Sequence, residues 1–132
     1  MRVFLDTNVW ISAFVASGTC RRLVAFALPF HETLSTELVR QEIIAVLTEK
    51  LKAPPASTQW LEDILRETRS VEDADPAVGD NDARLLAAAS AAGVELFVTG
   101  DKALLEQGAI GTMRIVSPRE AWIILFNPLS ID

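Results

Sequence analysis

The stretch RVFLDTNVW, residues 2–10, decides how the chain folds. Val3, Phe4 and Leu5 form an uninterrupted apolar run, which reads as a short strand buried on both faces. Strands of that kind belong to parallel sheets covered by helices. Asp6 follows at once. A carboxylate at the end of a buried strand loses hydration, and this is costly unless something pairs with it. Ligand sites in open α/β sheets lie outside the carboxyl ends of the strands. Asp6 therefore marks the edge at which other functional groups are to be sought.

Outward from this strand, apolar runs alternate with helical stretches, the pattern of an α/β chain with a parallel sheet. Residues 2–5, 31–35, 95–99 and 113–116 read as strands, with a weaker one at 70–72. Helices are predicted over 9–16 and 19–28, broken near Gly18, and over 36–51, 57–69, 82–92 and 101–106. In the 36–51 helix Val39, Ile43, Val46 and Leu47 share a face, and Pro54-Pro55 ends it. Ser57 is the expected cap of the next helix, and DADPAVGDN at 73–81 forms an acidic loop. SPRE at 117–120 carries a full helix start, with Ser117 as cap, Pro118 in the first turn and Glu120 closing a capping box. The last helix runs to Phe126 and stops before Pro128, which implies one domain over 1–126 and a short tail over 127–132.

A chain of 132 residues, half of them hydrophobic, is long enough for one sizeable core. Eighteen acids against twelve bases give a net charge of −6, which argues against non-specific DNA binding by the surface as a whole. The apolar stretches fall short of a membrane span, and MRVFLD does not read as a signal peptide. A cytoplasmic protein without membrane contact is expected. Cys20 is the one cysteine and His31 the one histidine, so no intrachain disulfide and no Cys/His zinc site is available. Cys20 reads as structural, even beside Arg21 and Arg22, and His31 as a packing or surface residue. Any catalysis must then run on carboxylates.

Three acids reach the same sheet edge independently. Asp6 follows the first strand, Asp101 follows ELFVTG, and Asp82 begins a helix after the acidic loop. Each has a plain alternative role, because Asp at a helix N-terminus caps it and suits its dipole. Asp82, Leu85, Leu86 and Ala89 fall on one helical face, which makes Asp82 the better inward ligand and Asp80 the better cap. The 36–51 helix offers a fourth acid. Glu42 lies at the border of the apolar stripe, Glu37 on the polar face, and Glu49 two turns further on. Taken alone, Glu42 also fits a half-solvated border position.

VFLDTNVW, STELVRQEIIAVL, GDNDARLLAAA, LFVTGDKALL and IVSPREAW, in this order and spacing, resemble a PIN domain of the VapC-like toxin nucleases of toxin–antitoxin pairs. The resemblance extends from Met1 to about Phe126. It implies a three-layer α/β/α sandwich around a mostly parallel sheet of four to five strands. The family's acidic quartet falls on Asp6, Glu42, Asp82 and Asp101, with Asn8 and Thr99 at the supporting polar positions. The third block departs from the commoner DPxDD form and reads VGDND here, which leaves Asp80 as an alternative to Asp82; the helix face favours Asp82.

Two carboxylates 4 Å apart repel by about 1 kcal/mol in water and about 4 kcal/mol at an effective dielectric of 20. Several such pairs call for protonation or a cation, and all-oxygen ligands suit Mg²⁺ or Mn²⁺. A metal held this way can activate a water for attack on a phosphodiester. The resemblance supplies RNA as substrate, cut to 5′-phosphate and 3′-hydroxyl ends, and a small antitoxin as partner. Lys102 and Arg84 are near enough in sequence to touch phosphate, although solvated positions suit them equally. Trp60 and Trp122 suit core packing first and an antitoxin or homodimer interface second. Other readings are a housekeeping RNA-processing PIN nuclease and a non-catalytic PIN-like binding module. A haloacid-dehalogenase phosphatase needs an acid where Asn8 stands, and a phosphate-receiver domain wants paired acids in its first loop.

Overall fold

The computed structural model describes residues 1–126, the side chain of Leu28 excepted; the tail expected over 127–132 lies outside the described residues. In chain order the elements are β1 (Arg2–Leu5), α1 (Thr7–Val15), α2 (Thr19–Phe30), β2 (Glu32–Ser35), α3 (Glu37–Ala45), α4 (Pro55–Arg66), β3 (Arg69–Ser70), α5 (Asn81–Ala91), β4 (Leu96–Val98), α6 (Lys102–Gln107), β5 (Ala109–Ile110), β6 (Met113–Val116) and α7 (Pro118–Phe126). A π-helical turn extends α3 over Val46–Lys50, and a 3₁₀ turn spans Pro76–Val78.

The sheet order is β3-β2-β1-β4-β6-β5, with every pair parallel except β5–β6. The apolar run read first in the sequence lies at its centre. Val3 and Phe4 are fully buried, and the Phe4 ring stacks on Phe97, its register partner on β4, at 5.4 Å. The chain steps outward from β1 to β2 and β3, then jumps back across β2 and β1 to β4 before stepping the other way to β6. Right-handed crossovers put the connections of these opposite steps on opposite faces. Helices α1, α2, α3, α4 and α7 accordingly form one layer through α1–α2, α1–α3, α2–α7 and α3–α4 packing. Helices α5 and α6 lie on the other face and share a groove. The topological switch point falls between β1 and β4, the crevice where open α/β sheets bind ligands.

The three-layer architecture is the expected one, with corrections of detail. The sheet has six strands rather than four to five, because β5 folds back on β6 through a two-residue turn in which Gly111 has φ +58°. Helix α1 starts at Thr7, two residues early, because Asp6 serves as its cap. Helix α4 starts at Pro55, so Pro54 and not Ser57 precedes it, with proline in the first turn. The Ser117–Glu120 capping box forms as expected, with Glu120 N donating to Ser117 Oγ at 3.1 Å. Core packing fails as the reading of Trp60, which is 47% exposed and leans on Phe14. Trp122 is half-buried between Phe26 and Phe126, under the Arg22 guanidinium. Cys20 is half-buried, and burial pushes its thiol above its ordinary pKa, in keeping with a structural role. Among the described residues no single helix is long and apolar enough to cross a membrane.

Candidate active site

The parallel ladder continues one residue past β1 and β4. Asp6 N donates to Val98 O and Thr99 N to Val116 O, each at 2.9 Å. These bonds hold Asp6 and Thr99 side by side at the switch point. Asp6 is only 4% exposed. Its Oδ1 accepts from Thr7 N and its Oδ2 from Thr99 Oγ1, both at 2.7 Å. Thr99 is fully buried, and its hydroxyl also accepts from Asp101 N at 3.0 Å. The compensation that Asp6 requires thus comes, within the chain, from two neutral donors. They do not cancel the cost. Burial pushes the Asp6 carboxyl above its ordinary pKa, the Thr99 and Thr7 hydrogen bonds pull it back, and the charges of Asp82 and Glu42 raise it further.

Glu42 comes from α3, in the larger helical layer, and is half-buried. Its Oε1 accepts from Thr7 Oγ1 at 2.9 Å and its Oε2 from Asn81 Nδ2 at 3.3 Å. Glu37 is drawn off into an ion pair with Arg40 at 2.7 Å, and Glu49 is exposed on the π turn. Asp82 stands in the first turn of α5, with Leu85, Leu86 and Ala89 buried below it, although the carboxylate side chain is itself exposed. Its pKa is also raised, by desolvation first and then by the charges of Asp101, Asp80 and Glu42. Asp80 is the cap, its Oδ1 accepting from Ala83 N at 2.9 Å. Asp101 caps α6 through Oδ1, which accepts from Ala103 N at 2.8 Å and Leu104 N at 3.3 Å. Carboxylates from four separate elements therefore lie along one sheet edge: Thr99 joins Asp6 to Asp101, Thr7 joins Asp6 to Glu42, and Asp82 is coupled to its neighbours through charge alone.

The family model of the PIN domain matches residues 2–103. The chain belongs to the PIN domain family. Eight solved chains match its fold significantly. One is in the crystal structure of VapBC2 from Rickettsia felis bound to a DNA fragment from their promoter, with a TM-score of 0.65, 16% identity, and coverage of 89% of this chain and 98% of that one. No curated protein matches significantly. PIN domains are generally nucleases, and those nucleases typically use divalent metal ions.

The PIN fold brings Asp6, Thr99 and Asp101 into one hydrogen-bonded unit and couples Asp82 and Glu42 to it electrostatically. Asn8 stands apart, exposed on α1 and with no side-chain hydrogen bond among the described residues. The supporting role in DTN goes to Thr7, whose amide serves Asp6 and whose hydroxyl serves Glu42. Asn81 is a second group that sequence reasoning missed; its place directly before Asp82 was the available signal. Arg84 is occupied by the Ala74 carbonyl at 3.2 Å, while Lys102 is exposed. Among the described residues, no three of the acids are close enough together to hold a metal ion as they stand. The donor chemistry nevertheless fits a divalent cation. It is all oxygen, two carboxyls are held above their ordinary pKa partly by their neighbours, and Asp6 and Glu42 meet only neutral donors.

Proposed function

We propose that this PIN domain is a metal-dependent endoribonuclease and the toxin of a toxin–antitoxin pair. The observation that carries the reading is the convergence of Asp6, Glu42, Asp82 and Asp101 at the switch point, with no cationic side chain bonded to any of them among the described residues. Asp6, Asp82 and Asp101 would hold Mg²⁺ or Mn²⁺, with Glu42 completing the set. Such an ion supplies charge to offset the phosphate and acidifies a water for in-line attack. The chain's own groups do the rest. Thr99 and the Thr7 amide fix Asp6, Thr7 and Asn81 orient Glu42, and the capped start of α6 fixes Asp101. No histidine or side-chain nucleophile is required.

An antitoxin partner fits the groove between α5 and α6, about 770 Å³ in volume. Its floor is apolar, with Leu86, Leu104 and Ile110, its rim carries Asp80 and Asp82, and no basic side chain lines it. A peptide with apolar residues and one cation suits that combination. The deciding experiment incubates the purified chain with single-stranded RNA and Mn²⁺, then maps the product ends. Cleavage to 5′-phosphate and 3′-hydroxyl ends, abolished by EDTA, is expected. Intact RNA across several substrates would leave a binding module. Slowed growth on expression, relieved by a co-expressed small partner, separates a toxin from a housekeeping nuclease.

A further inference from the structure

We infer that Asn81 is a positioning residue of this site, a neutral latch that ties α5 to α3 through Glu42. The inference rests on the metal-dependent reading above. Helices α3 and α5 lie in opposite layers of the sandwich, so the sheet separates most of their length. At the carboxyl edge the Asn81 side chain reaches across, and Nδ2 donates to Glu42 Oε2 at 3.3 Å. Among the described residues this is the one side-chain hydrogen bond between the two helices. The next residue, Asp82, is the acid that α5 contributes. A single step in sequence thus places one ligand candidate and orients another that comes from the opposite layer.

The chemistry of the latch suits that task. Lysine or arginine at 81 would hold Glu42 and also cancel its charge. An amide orients the carboxylate and leaves its full charge for a cation. Thr7 does the same at the other oxygen, so both ends of Glu42 are held by neutral donors. Groups that orient a metal ligand from behind typically set its affinity by 10–100-fold.

A purely local role for Asn81 makes the opposite prediction. Asn81 is the first residue of α5, where the helix dipole favours an acid. If helix initiation were its whole function, Asn81→Asp would match or stabilise the wild type. On the latch reading, Asn81→Asp loses the donor and sets a like charge against Glu42. The test is thermal melting of wild type, Asn81→Asp and Asn81→Ala, first in EDTA and then across a Mn²⁺ titration. In EDTA, Asn81→Asp is expected to melt a few degrees below wild type. In the titration, the Mn²⁺ concentration giving half the melting shift should rise about tenfold in Asn81→Ala. Asn81→Asp melting at or above wild type in EDTA overturns the latch, and so does an unchanged Mn²⁺ midpoint in Asn81→Ala. A wild-type chain with no Mn²⁺ shift overturns the metal reading itself, and the EDTA comparison then still reports separately on the Asn81–Glu42 bond.

Discussion

The two ends of the sheet treat charge in opposite ways. At the amino end, signs alternate. Glu32 lies between Arg2 and Arg69, with contacts of 3.4 Å and 2.6 Å, and Glu95 accepts from Arg2 N at 3.1 Å. These groups are exposed and paired, and Arg69 lowers the pKa of Glu32. At the carboxyl end Asp6, Glu42, Asp82 and Asp101 all carry the same sign, and the donors that meet Asp6 and Glu42 are neutral. The same short strands run between the two ends, so the backbone does not impose the difference. Pairing is the arrangement that serves stability, while unrelieved repulsion beside a buried Asp6 opposes it. Like charges gathered at the switch point of the sheet are the arrangement that the proposed cation would relieve.

The largest expected effect breaks this arrangement at its least buried acid. Asp82→Asn keeps the shape and removes one charge. Loss of an outer partner of a metal ligand costs 10–100-fold, and loss of the ligand itself exceeds that. Mn²⁺-dependent cleavage of RNA should therefore fall below about one hundredth of wild type. Retained cleavage would remove Asp82 from the site.

The next effect supplies what the carboxyl end lacks. Mn²⁺ at about a hundred times its dissociation constant should stabilise the fold by about 2.7 kcal/mol. For a domain of this size that raises the melting temperature by several degrees. Melting unchanged at millimolar Mn²⁺ and Mg²⁺ would mean that the acids do not form a cation site.

Acid titration without metal should separate the two ends by sign. The raised pKa values of Asp6 and Asp82 mean that the native state binds more protons than the unfolded chain between the ordinary carboxylate value and the raised one. Their contribution to stability is present at low pH and is lost as pH rises through that interval. Glu32, lowered by Arg69, behaves oppositely, contributing above the ordinary value and losing it as pH falls. In EDTA, a melting series from about pH 3 to 7 should show a smaller alkaline-side loss in the Asp6→Asn, Asp82→Asn double variant than in wild type. Glu32→Gln should instead soften the acid-side loss. Identical profiles for wild type and the double variant would contradict the raised values.

Much of this contrast is legible in the sequence. VFLD announces a buried strand with a carboxylate at its end, and SPRE spells out the capping box that forms. Periodicity places Glu42 at the border of the apolar stripe, where it is half-buried. What escapes is pairing between distant elements. Nothing local in DTN indicates that Thr7, and not Asn8, reaches α3, because helical direction decides it. The bond from Asn81 to Glu42 spans 39 residues and depends on the β3-to-β4 jump, which no local pattern encodes. Strand β5 is too short for a hydrophobic period, and only Gly111 hints at its turn. Trp60 reads as core by composition but sits at a helix surface that the layer leaves half open.

The smallest effect sharpens the carboxyl end from within. Asp80 and Asp82 are two residues apart and line the same groove, yet their roles divide. Asp80 spends an oxygen on the Ala83 amide, and its charge does not figure among those that raise Asp6. Asp82 raises Asp6 directly. Asp80→Asn keeps a cap residue of equal quality, so stability should change by only about a few tenths of a kcal/mol. Cleavage should stay within a few fold of wild type, because the groups around Asp6 keep their partners. Assaying Asp80→Asn and Asp82→Asn on the same RNA, with the same Mn²⁺, makes the division measurable. An inactive Asp80→Asn beside an active Asp82→Asn would transfer the third ligand to Asp80 and make the Asn81 amide a bridge between the cap and Glu42.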